Sequence, residues 1–268
     1  MKNRVLIIII AAALVSSAGF LTRFGQRKNV SETKIEQSAD IAEKTNLTAN
    51  FGKIPLHFEP NAGQIDEQVK FLSRGAGYSL FLTDSSVVLR PSFFVDEKQA
   101  APKNEGRKTT DNGRILQMKF VGANPSPEIA AENQLEGKTN YFVGNDASKW
   151  KTDISNFERV RYSQIYDGVD LIFYGNQHQL EYDFVVQPNT SPETIKLNFD
   201  GADKLEIAAN GDLVFKFGDH ELRQHKPLAY QEINGTRKEI AANYTITKGK
   251  GQRTKLNFKS EITTVRNR

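Results

Sequence analysis

Apolar and polar residues alternate along most of this chain, in short runs broken by turn-forming residues. The clearest case is Val169, Leu171 and Phe173, which alternate with Asp170, Ile172 and Tyr174. Leu180, Tyr182, Phe184 and Val186 alternate in the same way with Glu181, Asp183 and Val185. A period of two marks half-buried strands. Shorter runs of the same kind lie at 54–58, 69–72, 78–82, 87–90, 115–121, 195–199, 205–208, 213–217, 221–223, 229–233 and 239–246. Turn signals such as Asn210-Gly211 and Asn234-Gly235 separate several of them. Beyond the N-terminus no segment carries a 3.6-residue apolar stripe. The pattern predicts an all-β chain, an antiparallel β-sandwich or open barrel-like sheets. If it divides into two subdomains, they meet near 125–140.

The hairpin at 169–186 can be registered from its pattern, because a slip of one residue moves every side chain to the other face. Pairing Phe173 with Leu180 and Leu171 with Tyr182 gathers the apolar residues on one face. It leaves Gly175 to His178 as a loop and sets Asp170 opposite Asp183, with Glu181 beside them. Facing carboxylates repel, so a counter-charge is expected. Arg159 and Arg161 on the preceding strand are the first source, as a structural ion-pair cluster. A calcium ion is the second, since hard cations take carboxylate oxygens. Acid–base chemistry on a paired-carboxylate sugar site is the third.

The ends change the picture. Lys2 and Arg4, the apolar run Val5 to Val15 and the small residues Ser16 to Ala18 form the layout of a secretory signal. Extended through Leu21, the run also reaches the roughly 17 residues a spanning anchor needs. Residues 1–28 are therefore read as signal peptide or signal anchor, an apolar helix ahead of the β domain, with membrane contact confined to this segment (residues 5–21 if it is kept). The remainder is expected outside the cytoplasm: secreted, periplasmic or on the cell surface. Residues 29–50 read as a polar linker, 51–246 as the all-β domain, 96–114 as a flexible loop and 247–268 as a basic tail. The chain has no cysteine, so the domain must rest on its core; 17 Phe and 8 Tyr supply the apolar area. The net charge of +4 resides in the leader and the tail, which makes it no signature of nucleic-acid binding.

Candidate chemistry is sparse. Tyr141, Trp150, Tyr166 and Tyr174 would form an aromatic platform for a sugar ring if they shared a surface; packing or loop anchoring is the commoner role of such residues. The four histidines are scattered, and no nucleophile elbow, phosphate loop or zinc-protease helix is present. No catalytic residue and no cofactor is assigned.

Several ordered segments carry a resemblance: HFEPNAGQIDEQVKFLSRGAGYSLFLT at 57–83, VGAN at 121–124, GKTNYFVGNDASKW at 137–150, YDGVDLIFYGNQHQLEYDFVVQP at 166–188, and FDGADKL with NGDL over 199–213. Together they resemble the N-terminal domain, of uncharacterised function, that precedes SBBP-type β-propeller repeats in large bacterial surface proteins. The resemblance spans about 51–246 and implies a non-catalytic binding or scaffolding module whose partners are envelope or surface components, glycans among them. It transfers no catalytic residue. The alternative from the residues alone is a carbohydrate-binding or carbohydrate-processing domain using the aromatic and carboxylate groups of 141–183.

Overall fold

The computed structural model describes residues 6–11, 14–16, 56–75, 77–92, 114–176, 179–233, 236–248 and 254–260. Most of them are in antiparallel strands, curled into a half-barrel, as the alternation predicts. The spine is a long hairpin of β8 (Glu128–Tyr141) and β9 (Lys151–Tyr166). One edge of β9 carries β8 along its length. The opposite edge carries two different partners: β10 (Val169–Asn176) against Arg159 to Tyr166, and β3 (Phe58–Pro60) at Phe157. The sheet therefore forks at residues 157–159, and two arms leave the same edge of one strand.

The first arm runs from β3 through β4 (Val69–Gly75), β5 (Tyr78–Thr83), β6 (Ser86–Pro91), β7 (Leu116–Phe120), β12 (Lys196–Asp200) and β19 (Thr254–Ser260) to β18 (Ala242–Lys248). The second runs from β10 through β11 (Gln179–Val186), β1 (Leu6–Ala11) and β16 (Leu228–Ile233) to β17 (Thr236–Ile240). A smaller sheet orders β13 (Lys204–Ile207), β14 (Leu213–Phe217), β15 (His220–Gln224) and β2 (Leu14–Ser16). A single buried cluster joins all three, from Leu56 to Tyr244. Residues 125–140, where two subdomains would meet, include β8, which is paired within the large sheet.

The arms face each other across aromatic side chains. Phe120, Tyr162, Phe173, Tyr182 and Phe184 form a chain of rings with centroids 5.6–5.9 Å apart. Each such contact adds about 0.5–1.5 kcal/mol beyond the area it buries. Tyr162 is fully buried and its hydroxyl donates to the Thr83 carbonyl at 3.0 Å, tying β9 to the end of β5. Phe199 packs on Phe215 at 4.9 Å and holds the small sheet against the first arm.

Three expectations change. The observed β10–β11 register pairs Phe173 with Tyr182 and Leu171 with Phe184, two residues from the expected one. A slip of two preserves the faces, so the apolar face is buried as read, with Ile172 of the other face buried as well, but Asp170 now stands opposite Val185 and Asp183 opposite Ile172. The strands also run on to Asn176 and Gln179, which shortens the loop to 177–178. Second, the N-terminal apolar run is extended over its described residues, as β1 and β2, where a signal or anchor helix is expected. Four consecutive isoleucines are β-branched and suit a pleated site. Among the described residues no helix is long and apolar enough to cross a membrane. Third, part of the basic tail belongs to the sheet: β19 lies between β12 and β18. The rest of the leader, the 29–50 linker and the 96–114 loop up to residue 113 lie outside the described residues.

Candidate functional site

The far end of the β8–β9 hairpin carries the two most exposed large apolar side chains among the described residues, Val143 at 71% and Phe142 at 63%, with Trp150 at 38% nearby. Local chemistry shapes this tip. Asp146 caps a 3-10 turn over Ala147–Lys149 by accepting from the Ser148 amide at 3.1 Å. The Trp150 indole donates to the Gly144 carbonyl at 3.2 Å, and its ring meets Phe142 edge-on at 5.1 Å. Trp150 thus anchors the loop while leaving a face to solvent.

Of the four aromatic residues read as a platform, only Tyr141 and Trp150 lie at the same end of the hairpin, and they serve different partners: Tyr141 the Glu59–Arg74 pair, Trp150 the Phe142 ring and the Gly144 carbonyl. Tyr166 is 5% exposed and its hydroxyl donates to the Lys196 carbonyl at 2.8 Å. Tyr174 pairs with Arg159, whereas Tyr141 pairs with Lys151. Eight residues of β9 separate those positions, about 26 Å at 3.3 Å per residue.

Behind the tip lies a charged network that the pattern of the sequence does not announce. Glu59 on β3 is 2% exposed. Arg74 on β4 donates to its Oε1 at 3.2 Å, Tyr141 donates to its Oε2, and His57 Nε2 stands 3.6 Å from Oε1. Arg74 also donates to the Tyr141 oxygen, with its guanidinium 5.1 Å from the ring centroid. Burial pushes the Glu59 carboxyl up, but the hydrogen bonds from His57 and Tyr141 and the Arg74 charge outweigh it and hold it below 4.5. Burial and the neighbouring carboxylate push the Tyr141 phenol up to about 12. A nucleophilic phenol needs the opposite shift. Chemically, the arrangement is a saturated clamp across β3, β4 and β8.

The expected carboxylate cluster divides in two. Asp170 accepts from Arg161 Nη1 at 3.2 Å and from the Gln164 amide at 2.8 Å, and the same Arg161 donates from Nε to Glu132 at 2.5 Å. Arg161 therefore bridges Asp170 and a β8 residue absent from the sequence reading. Asp183 accepts from the Tyr174 hydroxyl at 3.0 Å, with the Arg159 guanidinium 5.7 Å from the Tyr174 ring centroid. Glu181 accepts from Asn176 at 2.9 Å. Burial raises Asp183 to about 6; the Tyr174 hydrogen bond and Arg159 oppose this, and Glu181 adds to it. Among the described residues no three His, Cys, Asp or Glu side chains gather to hold a metal.

The distinctive short motifs build turns. In Asn61-Ala62-Gly63-Gln64, the Asn61 amide donates to the Asp66 and Val69 carbonyls at 2.7 and 2.9 Å, and Gln64 donates to the Pro60 carbonyl at 2.9 Å. Gly168, in the Tyr166-Asp167-Gly168 turn between β9 and β10, has φ +70°, and a Cβ there would lie 2.1 Å from Thr190 Oγ1. These residues satisfy their own loop backbone, so they explain the sequence pattern without supplying a site.

Residues 58–265 match the family model of a domain of unknown function (DUF7948). No curated protein and no solved structure matches the chain.

Proposed function

The chain belongs to the DUF7948 family, a domain of unknown function, and from that premise we propose that it is a non-catalytic binding or scaffolding module working outside the cytoplasm. The apolar leader would carry it there, and its resemblance to domains ahead of SBBP-type propeller repeats in bacterial surface proteins points the same way. The observation that carries the reading is the apolar tip of Phe142, Val143 and Trp150 at the end of the β8–β9 hairpin. Apolar groups held out at the end of a hairpin are what a partner surface can cover. The charged network behind the tip, by contrast, is taken up by internal pairing, with Glu59 bonded to Arg74 and Tyr141 and the Tyr141 phenol pushed away from reactivity.

The partner is an envelope or surface component. A glycan is the second reading, favoured by the exposed Trp150 face beside Phe142. Fractionation of cells expressing the full chain, followed by photo-crosslinking from position 143 and a glycan array, tests both. The proposal expects the protein outside the cytoplasm and a crosslinked envelope protein that is lost in F142S. A glycan signal lost in W150A would replace it with the sugar reading. Cytoplasmic protein with neither signal would sink both.

A further inference from the structure

The second arm of the sheet contains a slot one strand wide. β11 and β16 do not pair with each other; each pairs with β1, which lies antiparallel between them. Five consecutive registers connect β1 to each neighbour, from Ile7 opposite Val186 to Ala11 opposite Tyr182, and from Leu6 opposite Glu232 to Ile10 opposite Leu228. Among the described residues, the β16–β17 hairpin is hydrogen-bonded to the large sheet only through this strand. A lone two-stranded hairpin is marginal in water. The slot is therefore a structural requirement of the arm, whatever fills it.

The segment that fills it is also the apolar core of the leader. Those two roles exclude each other. A leader removed by processing, or one held in a membrane, leaves β11 and β16 with two facing rows of unpaired N–H and C=O groups. Buried backbone groups do not stay unpaired.

The register defines the occupant. Alternate positions in the slot stand beside buried residues: Tyr182, then Phe184 with Ala229, then Val186. The intervening positions stand beside Val185 with Tyr230, and beside Asp183 with Leu228, which is 45% exposed. Glu181 lies on the same strand face as Asp183.

We propose that in the exported protein this slot accepts an extended segment of another polypeptide, apolar at alternate positions and basic at the position between Asp183 and Leu228. Main-chain hydrogen bonds to both edges supply affinity, and the alternate buried positions supply selectivity, as in strand addition to a sheet edge. Here the incoming strand gains two edges instead of one. The inference rests on the export reading above, and it names the class of partner that reading leaves open.

The test uses the full chain, expressed with its leader and recovered from outside the cytoplasm, with its mass establishing where the exported form begins. The probe is a synthetic peptide of residues 6–16 carrying I10K; the control carries I8P as well, which removes a ladder donor. Amide exchange is followed at 179–186 and 228–233. Without peptide both strands should exchange quickly. The probe at a hundred times its Kd should slow the opening of both by about 100-fold and raise Tm, while the proline control does neither. Processed protein whose two strands are unaffected by the probe overturns the proposal. So does exported protein that keeps residues 6–16 and protects both strands unaided. Full-length protein found only in the cytoplasm would instead fell the export reading, a failure seen in the fractionation and not in the exchange.

Discussion

Replacing Tyr141 with phenylalanine removes one oxygen from the network around Glu59 and leaves the ring and its packing in place. The lost bond runs from a hydroxyl to a carboxylate on a residue 2% exposed, so water has little access to replace it. Hydrogen bonds to charged groups contribute about 1.5–3 kcal/mol. Arg74 and His57 still serve Glu59 in the variant, and Arg74 is half exposed, so a loss near the middle, about 2 kcal/mol, is expected. In a domain of this size each kcal/mol moves Tm by about 2–4 °C, giving a fall of about 4–8 °C at pH 7. Thermal melts and urea titrations followed by near-ultraviolet circular dichroism measure it. Combining Y141F with R74M should reveal a coupling above about 0.5 kcal/mol, since both side chains touch the same carboxylate. The pH dependence adds a sign. Glu59 is held below its ordinary 4.5, so its contribution is complete above that pH and is lost as pH falls through the folded value. The deficit of Y141F should therefore shrink in acid. A variant that melts within about 1 °C of the parent at pH 7, or whose deficit grows as pH falls, refutes the idea that a paired, ionised Glu59 holds β3, β4 and β8 together.

Asp183 gives the opposite sign. Its folded value near 6 lies above its ordinary 3.8, so folding is favoured below 3.8 and weakened as pH rises through 6, by at most about 3 kcal/mol. D183N should raise Tm at pH 8 and have little effect at pH 4; equal melting of the two proteins at pH 8 counts against a desolvated carboxyl. Gly201 has φ +107°, and a Cβ there would sit 1.9 Å from the Ile115 carbonyl oxygen, so G201A should cost more than about 2 kcal/mol in a urea titration. Gly122 has φ +70° with open space around it, and G122A should cost only about 1–2 kcal/mol, the left-handed backbone penalty alone. F142S should leave the unfolding free energy from a urea titration within about 0.5 kcal/mol of the parent, because the side chain is exposed; a larger loss would show that the tip is part of the core.

Local alternation in the sequence was enough to specify which face of most strands is buried. Leu180, Tyr182, Phe184 and Val186 are buried and their neighbours half-buried, as the period of two requires. It also survived a register error at β10–β11, because a slip of two residues keeps every side chain on its own face. The same slip moved Asp183 away from Asp170, and tertiary pairing then gave each a different partner. β8 was illegible for a physical reason: it is an outer strand that, among the described residues, is paired with β9 alone, and its residues are half-buried or exposed with no sustained alternation. β19 was hidden by the lysines that surround Leu256 and Phe258. The Glu59 clamp joins residues 15 and 82 positions apart. No local period encodes such contacts, because they depend on which edges meet after the chain closes on itself. The apolar run at the N-terminus shows the divide most plainly. Composition alone marks it as a segment that avoids water, whereas only the assembled sheet, with one strand's width between β11 and β16, decides that its backbone pairs as a strand.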